Sequence, residues 1–163
     1  LNLMDQPKKL VFLDTDILIS AYEDPHCEGI LNHAANHDGF QLVTSITVLG
    51  ETLFKAMDNT LGKDFVISVM ANLNRWDAEI MFPDESVSRL CFSMSNNYDD
   101  SRMIGQKTDK VHLAYAMSQD CAVFLTHDVG LTRYRVPQEL QDAKFFKPET
   151  MTPEAFWDRY LRR

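Results

Sequence analysis

Short apolar runs alternating with longer amphipathic stretches constrain this chain more than any other feature. LVFL (10–13), QLV (41–43), EIMF (79–82), AVFL (122–125) and KFFK (144–147) read as strands. Helical patterns occupy 16–22, 27–37, 46–58, 62–74, 84–97 and 109–118, and a last helix is expected at 153–161 with Pro153 in its first turn. The intervals are long enough for parallel strands joined by helices. The fold class is therefore expected to be α/β: one domain over residues 1–163, with an open parallel sheet of four to five strands and helices on both faces. Asp38-Gly39 marks a turn and Pro83-Asp84 opens a helix, while the polar stretch SNNYDDSRMIGQKT (95–108) is expected to be a loop or a broken helix.

Length and composition agree with that architecture. A chain of 163 residues holds a core large enough for one domain. No apolar run approaches the ~18–20 residues of a membrane span, and the opening LNLMDQPKKL lacks a signal-peptide core. Three scattered cysteines, Cys27, Cys91 and Cys121, argue against a disulfide framework and for a reducing, cytoplasmic setting. The formal net charge of −8 opposes unspecific attraction to nucleic acid, so a polyanionic substrate requires bound cations or a local basic patch.

In open α/β sheets, function gathers at the carboxyl ends of the strands, near the topological switch point. Asp14 follows the first strand directly, Glu51 lies in the helix after the second, Asp109 opens a helix, and Asp128 follows the fourth strand. Each acid also has a purely structural role open to it. Asp14 or Asp16 suits a helix cap, Glu51 and Lys55 are spaced as a surface i,i+4 pair, Asp109 adjoins the N-cap candidate Thr108, and Asp128 sits in a turn. Their joint placement favours a site, because neighbouring strands are only ~5 Å apart. Clustered carboxylates raise one another's pKa values unless a cation lies between them, and a hard divalent ion with oxygen preference suits that position.

The segments VFLDTDILI, ITVLGETLFKA, TDKVHLAYAMSQ and AVFLTHDVGL occur in the order and spacing of the PIN-domain nucleases, and the chain resembles that family over roughly residues 10–135. The resemblance implies a metal-dependent endoribonuclease in which Asp14, Glu51, Asp109 and Asp128 ring one or two Mg²⁺ or Mn²⁺ ions. Asp16 stands where many members carry Asn and would add a further carboxylate. Thr126 matches the hydroxyl residue before the last acid and is expected to position water or phosphate. Lys107, Lys110, Arg133 and Arg135 flank the acids and are candidates for contacts with RNA phosphates, with Tyr98 and Tyr134 as candidate stacking surfaces. Small PIN proteins of this kind include VapC-type toxins, which implies an RNA substrate, a cognate antitoxin and a homodimer as partners.

Two rival readings remain open. Asp14-Thr-Asp16 also fits a haloacid-dehalogenase-type phosphatase, with Asp14 as nucleophile and Asp16 as proton shuttle, although LTHDVGL lacks that family's downstream Gly-Asp and second acid. A non-catalytic PIN scaffold is the other, and retention of all four acids argues against it. His26, Cys27, His33 and His37 match no standard zinc spacing. Met57, Met70 and Met117 read as core filling, and no helix shows an apolar face in excess of what a core needs.

Overall fold

The central strand β1 (Lys9–Leu13) ends in three successive residues, Val11, Phe12 and Leu13, that are fully buried. Consecutive side chains of a strand point to opposite faces, so burial of all three requires both faces of the sheet to be covered. In this computed structural model, which describes residues 7–58, 61–96 and 107–162 (the side chains of Asn96 and Lys107 excepted), helices supply that cover. α1 (Thr15–Glu23) packs on α2 (Pro25–Ala35), α3 (Ile46–Asp58) and α4 (Gly62–Arg75), while α5 (Glu85–Asn96) packs on α6 (Lys107–Ser118).

All strand pairs are parallel and run in the order β3-β2-β1-β4-β5, with β2 at Phe40–Ser45, β3 at Glu79–Met81, β4 at Val123–Leu125 and β5 at Glu149–Met151. The chain builds outward from β1 to β3, then returns to lay β4 on the other side of β1. The switch point therefore lies between β1 and β4. Register sets Phe12 beside Phe124, whose rings stack at 5.0 Å between centroids, and the Asp14 amide donates to the Leu125 carbonyl just beyond the ladder.

The assignments of β1, β2, β3 and β4 match the expectation; the fifth strand does not. KFFK is no strand, because Lys144 takes a left-handed conformation (φ 65°) and closes α8 (Gln138–Asp142). The Lys144 amide donates to Gln141 O and the Phe145 amide to Leu140 O, the paired bonds of a Schellman turn. β5 forms five residues later. Lys147, also taken from the expected strand, donates to the carbonyls of Leu131, Thr132 and Tyr134 and so closes the end of α7 (Val129–Arg133). The final helix forms as expected after Thr152, α9 (Pro153–Phe156) passing into a π-helical turn at Trp157–Leu161.

Two packing expectations are corrected. Met117 is buried, but Met57 and Met70 are exposed. They share the outer faces of α3 and α4 with Leu53, Phe54 and Ile67, so these two helices do carry apolar surface in excess of the core. Most of the 95–108 stretch, including Tyr98, lies outside the described residues.

Candidate active site

Asp14 ends β1 at the switch point and caps α1, its Oδ1 accepting the Thr15 amide at 2.8 Å. Its residue is only 5% exposed, and each carboxylate oxygen has a side-chain partner. Oδ1 meets His112 Nδ1 at 2.9 Å, and Oδ2 accepts the Thr126 hydroxyl at 2.8 Å. The charge is thus held by three donors from three chain segments, which fixes its direction as well as its place.

His112, on α6, is fully buried and reaches a second acid. Its Nε2 lies 3.5 Å from Glu51 Oε2, which also accepts the Thr15 hydroxyl at 2.7 Å. Glu51 Oε1 faces Lys55 Nζ at 3.3 Å, the i,i+4 pair read from the sequence. That pair does not lie on an open helical face. Lys55 lines a cleft of about 220 Å³ together with Asp14, Thr15, Asp16, Glu51, Asp109 and Asp128. The five acids come from β1's end, α1, α3, α6 and the turn after β4, so only the folded topology unites them.

Asp16 sits in the first turn of α1. Its Oδ2 accepts the His127 amide at 2.7 Å and lies 3.2 Å from the Thr126 hydroxyl, while buried Oδ1 has no hydrogen-bond partner. Burial and the Asp14 charge raise its pKa from 3.8 to about 6, against the opposing pull of the His127 amide. Thr126 is itself buried; its oxygen accepts the Asp128 amide at 3.0 Å. Asp128 caps α7, its Oδ1 accepting the amides of Gly130 and Leu131.

The donor chemistry fits a hard divalent cation: carboxylate oxygens line the cleft, and one buried oxygen, Asp16 Oδ1, is left without a donor. The acids are not drawn together around one point, however; among the described residues no three of them converge on a common ligating position. Bringing them onto one ion requires side-chain rotation against the contacts that hold Asp14, Asp16 and Glu51.

The flanking cations divide. Arg133, the last residue of α7, and Arg135, two residues on, are exposed. Lys110, expected at the rim, is 8% exposed and donates instead to the Met94 carbonyl across the α5–α6 contact. Tyr134, proposed for base stacking, is buried, its amide bonded to Gly130 O at the end of α7. Lys107 opens α6. Of the residues considered for zinc, His37 accepts the Gly39 amide within a turn, His33 packs edge-on against Trp157, and burial pushes the Cys27 thiol up to about 12. Thr15 and Lys55 line this cleft without having been read from the sequence as site residues, and His112, one turn after Asp109, lies buried behind it.

A five-stranded parallel sheet in the order 3-2-1-4-5, with acids gathered where β1 and β4 part, defines a PIN-like α/β fold. Solved structures carry the same architecture. The chain is similar to VapBC2 from Rickettsia felis bound to a promoter DNA fragment (13% identity, TM-score 0.62, covering 86% of this chain and 98% of that one). It is similar to VapBC-1 from nontypeable Haemophilus influenzae at 16% identity and a TM-score of 0.62, over 89% and 98%. VapC20 of Mycobacterium tuberculosis, a toxin that cleaves the sarcin-ricin loop, matches at 14% identity and a TM-score of 0.52, over 85% and 99%. No protein-family model and no curated protein sequence matches the chain. At these identities the likeness is one of fold.

Proposed function

We propose that this protein is a metal-dependent endoribonuclease that hydrolyses RNA phosphodiester bonds, and that it is the toxin of a toxin–antitoxin pair. One observation carries the reading. Five carboxylates from separate elements line a single cleft at the switch point of a VapC-like sheet. Asp14, Asp16, Glu51, Asp109 and Asp128 would hold Mg²⁺ or Mn²⁺, Asp14 being the most buried of them. A bound ion of this type neutralises phosphate charge and lowers the pKa of water.

The chain's own groups do the rest. Thr126 and the His127 amide orient Asp14 and Asp16, and His112 holds Asp14 through Nδ1 with its Nε2 facing Glu51. Arg133 at the end of α7 and Arg135 just after it are exposed and would meet the RNA backbone. The exposed apolar residues of α3 and α4 suit protein partners, an antitoxin segment or a second copy of the chain. A phosphatase route through Asp14 is disfavoured by its geometry. Both of its oxygens accept hydrogen bonds, and the residue is nearly inaccessible to a phosphorus atom.

The test is cleavage of a labelled single-stranded RNA with Mn²⁺, with EDTA, and by Asp14→Asn. Asn keeps the size and the capping oxygen but removes the charge. Cleavage should require Mn²⁺ and fall by about 100-fold or more in the variant, beyond the loss typical of groups that only support a metal ligand. A folded protein that binds no Mn²⁺ would overturn the reading in favour of a non-catalytic PIN scaffold.

A further inference from the structure

Among the described residues that line the acidic cleft, Lys55 is the one cation, set against Asp14, Asp16, Glu51, Asp109 and Asp128. It therefore differs from an ordinary exposed Glu–Lys pair, which has only its partner to neutralise and contributes little. The two oxygens of Glu51 are held differently. Oε2 is fixed from the protein interior by Thr15 and faces buried His112. Oε1 faces Lys55 at 3.3 Å, with the lysine side chain 38% exposed and the glutamate 17%. A cation entering the cleft from solvent meets Glu51 on the oxygen that the ammonium occupies. Lysine suits a temporary tenancy, because its charge sits on a flexible four-carbon stem with no fixed fork geometry.

We propose that Lys55 is an exchangeable counter-ion of the cleft: it neutralises Glu51 until a divalent cation binds, and is then released to a phosphate of the nucleic-acid substrate. The inference rests on the nuclease reading. It also accounts for a protein of net charge −8 holding five acids together at one edge before any ion arrives. Cation binding and phosphate binding are thereby ordered, because the group that contacts phosphate becomes available only when Glu51 is taken over.

The experiment compares wild type, Lys55→Met and Lys55→Arg, each checked for an unchanged circular dichroism spectrum. Mn²⁺ affinity is read by electron paramagnetic resonance with Mn²⁺ alone. Binding of a short labelled single-stranded RNA, made uncleavable by 2′-O-methyl and phosphorothioate groups, is then measured in Mn²⁺ across a salt series. Lys55→Met should bind Mn²⁺ about twofold to fivefold more tightly, the range expected for loss of one partly exposed ion pair. It should bind the RNA more weakly, and its log affinity should fall less steeply with log salt, by about 0.7 in slope for one lost phosphate contact. Lys55→Arg should keep the wild-type slope. Unchanged or weaker Mn²⁺ binding by Lys55→Met, with wild type binding normally, overturns the counter-ion role. Tighter Mn²⁺ binding with an unchanged salt slope overturns release to phosphate. Failure of wild type itself to bind Mn²⁺ overturns the nuclease reading and this inference with it.

Discussion

The carboxyl and amino edges of the sheet start and stop their helices by different means. At the carboxyl edge every strand hands over to a helix through an oxygen-bearing side chain: Asp14 after β1, Ser45 at the end of β2, Asp84 after β3, Asp128 after β4 and Thr152 after β5. At the amino edge three helices end on a non-glycine residue with positive φ: Asp77 after α4, Asp120 after α6 and Lys144 after α8. Each closes a Schellman turn, with Ala78, Cys121 and Phe145 reaching back to Leu73, Ala116 and Leu140. Both edges are satisfied as backbone structure. Only the caps of β1 and β4, which flank the switch point, also line the cleft. Capping and site membership are thus not alternatives for an aspartate here; topology decides which caps acquire a second role.

That contrast predicts that changes at the carboxyl edge respond to divalent cations and changes at the amino edge do not. The largest effect is expected at His112. Replacing it with Ala leaves a cavity and strips a buried donor from Asp14, which should lower unfolding free energy by about 2–3 kcal/mol. Urea denaturation with and without Mn²⁺ reads both parts. If the loss comes from Asp14 and Glu51 left without the imidazole beside them, Mn²⁺ should restore a share of it. A loss of the same size in EDTA and in Mn²⁺ would reduce His112 to core packing.

These residues also mark how far the sequence was readable. Strands β1, β2 and β4 announce themselves because contiguous apolar residues have no other use in a chain of this charge. β5 does not, since Glu149-Thr-Met is a short edge strand with one apolar residue, while the more apolar KFFK is consumed by a helix-ending turn and by the Lys147 clamp on α7. Asp14, Glu51 and Asp128 were legible at or just beyond strand ends, and Asp109 at the start of a helix in the order that the PIN-domain resemblance implies. Lys55 was not, because an i,i+4 pair has the same spacing on an open face and in a cleft; His112 was legible only in part, since one turn after Asp109 and among Leu113 and Ala116 a histidine fits the site and the core equally well. Lys110 misled for a related reason. α6 buries residues around most of its circumference, so adjacency to Asp109 says little about direction.

Asp16 gives the next effect and a pH signature. Its folded pKa of about 6 exceeds the reference 3.8, so the folded state binds this proton more tightly than the unfolded one. The stabilising contribution is therefore complete below pH 3.8 and is lost as pH rises through 6. At pH 7 the ionised group costs stability, by about 1–2 kcal/mol once partial solvent access is allowed for. Asp16→Asn should accordingly be more stable than wild type at pH 7 and gain nothing near pH 3.5. Mn²⁺ should close the gap at pH 7 by stabilising the ionised wild type. If the advantage of the variant is independent of pH, burial of Asp16 is not what sets its cost.

The smallest effect belongs to the amino edge and tests the comparison from the other side. Lys144 is exposed, holds φ at 65°, and ends α8 in a position where Gly meets no Cβ penalty. Lys144→Gly removes that strain but frees the unfolded chain, so the expected net gain is modest, about 0.5–1 kcal/mol, read as a raised denaturation midpoint with unchanged slope. Because Lys144 contributes only to how the chain turns into the segment before β5, its replacement should leave Mn²⁺ affinity and RNA cleavage as in wild type. The gain should also be the same in EDTA and in Mn²⁺, unlike the effects at His112 and Asp16. A change in Mn²⁺ affinity would mean that the turn after α8 is mechanically tied, through Lys147 and α7, to the Asp128 cap at the opposite edge.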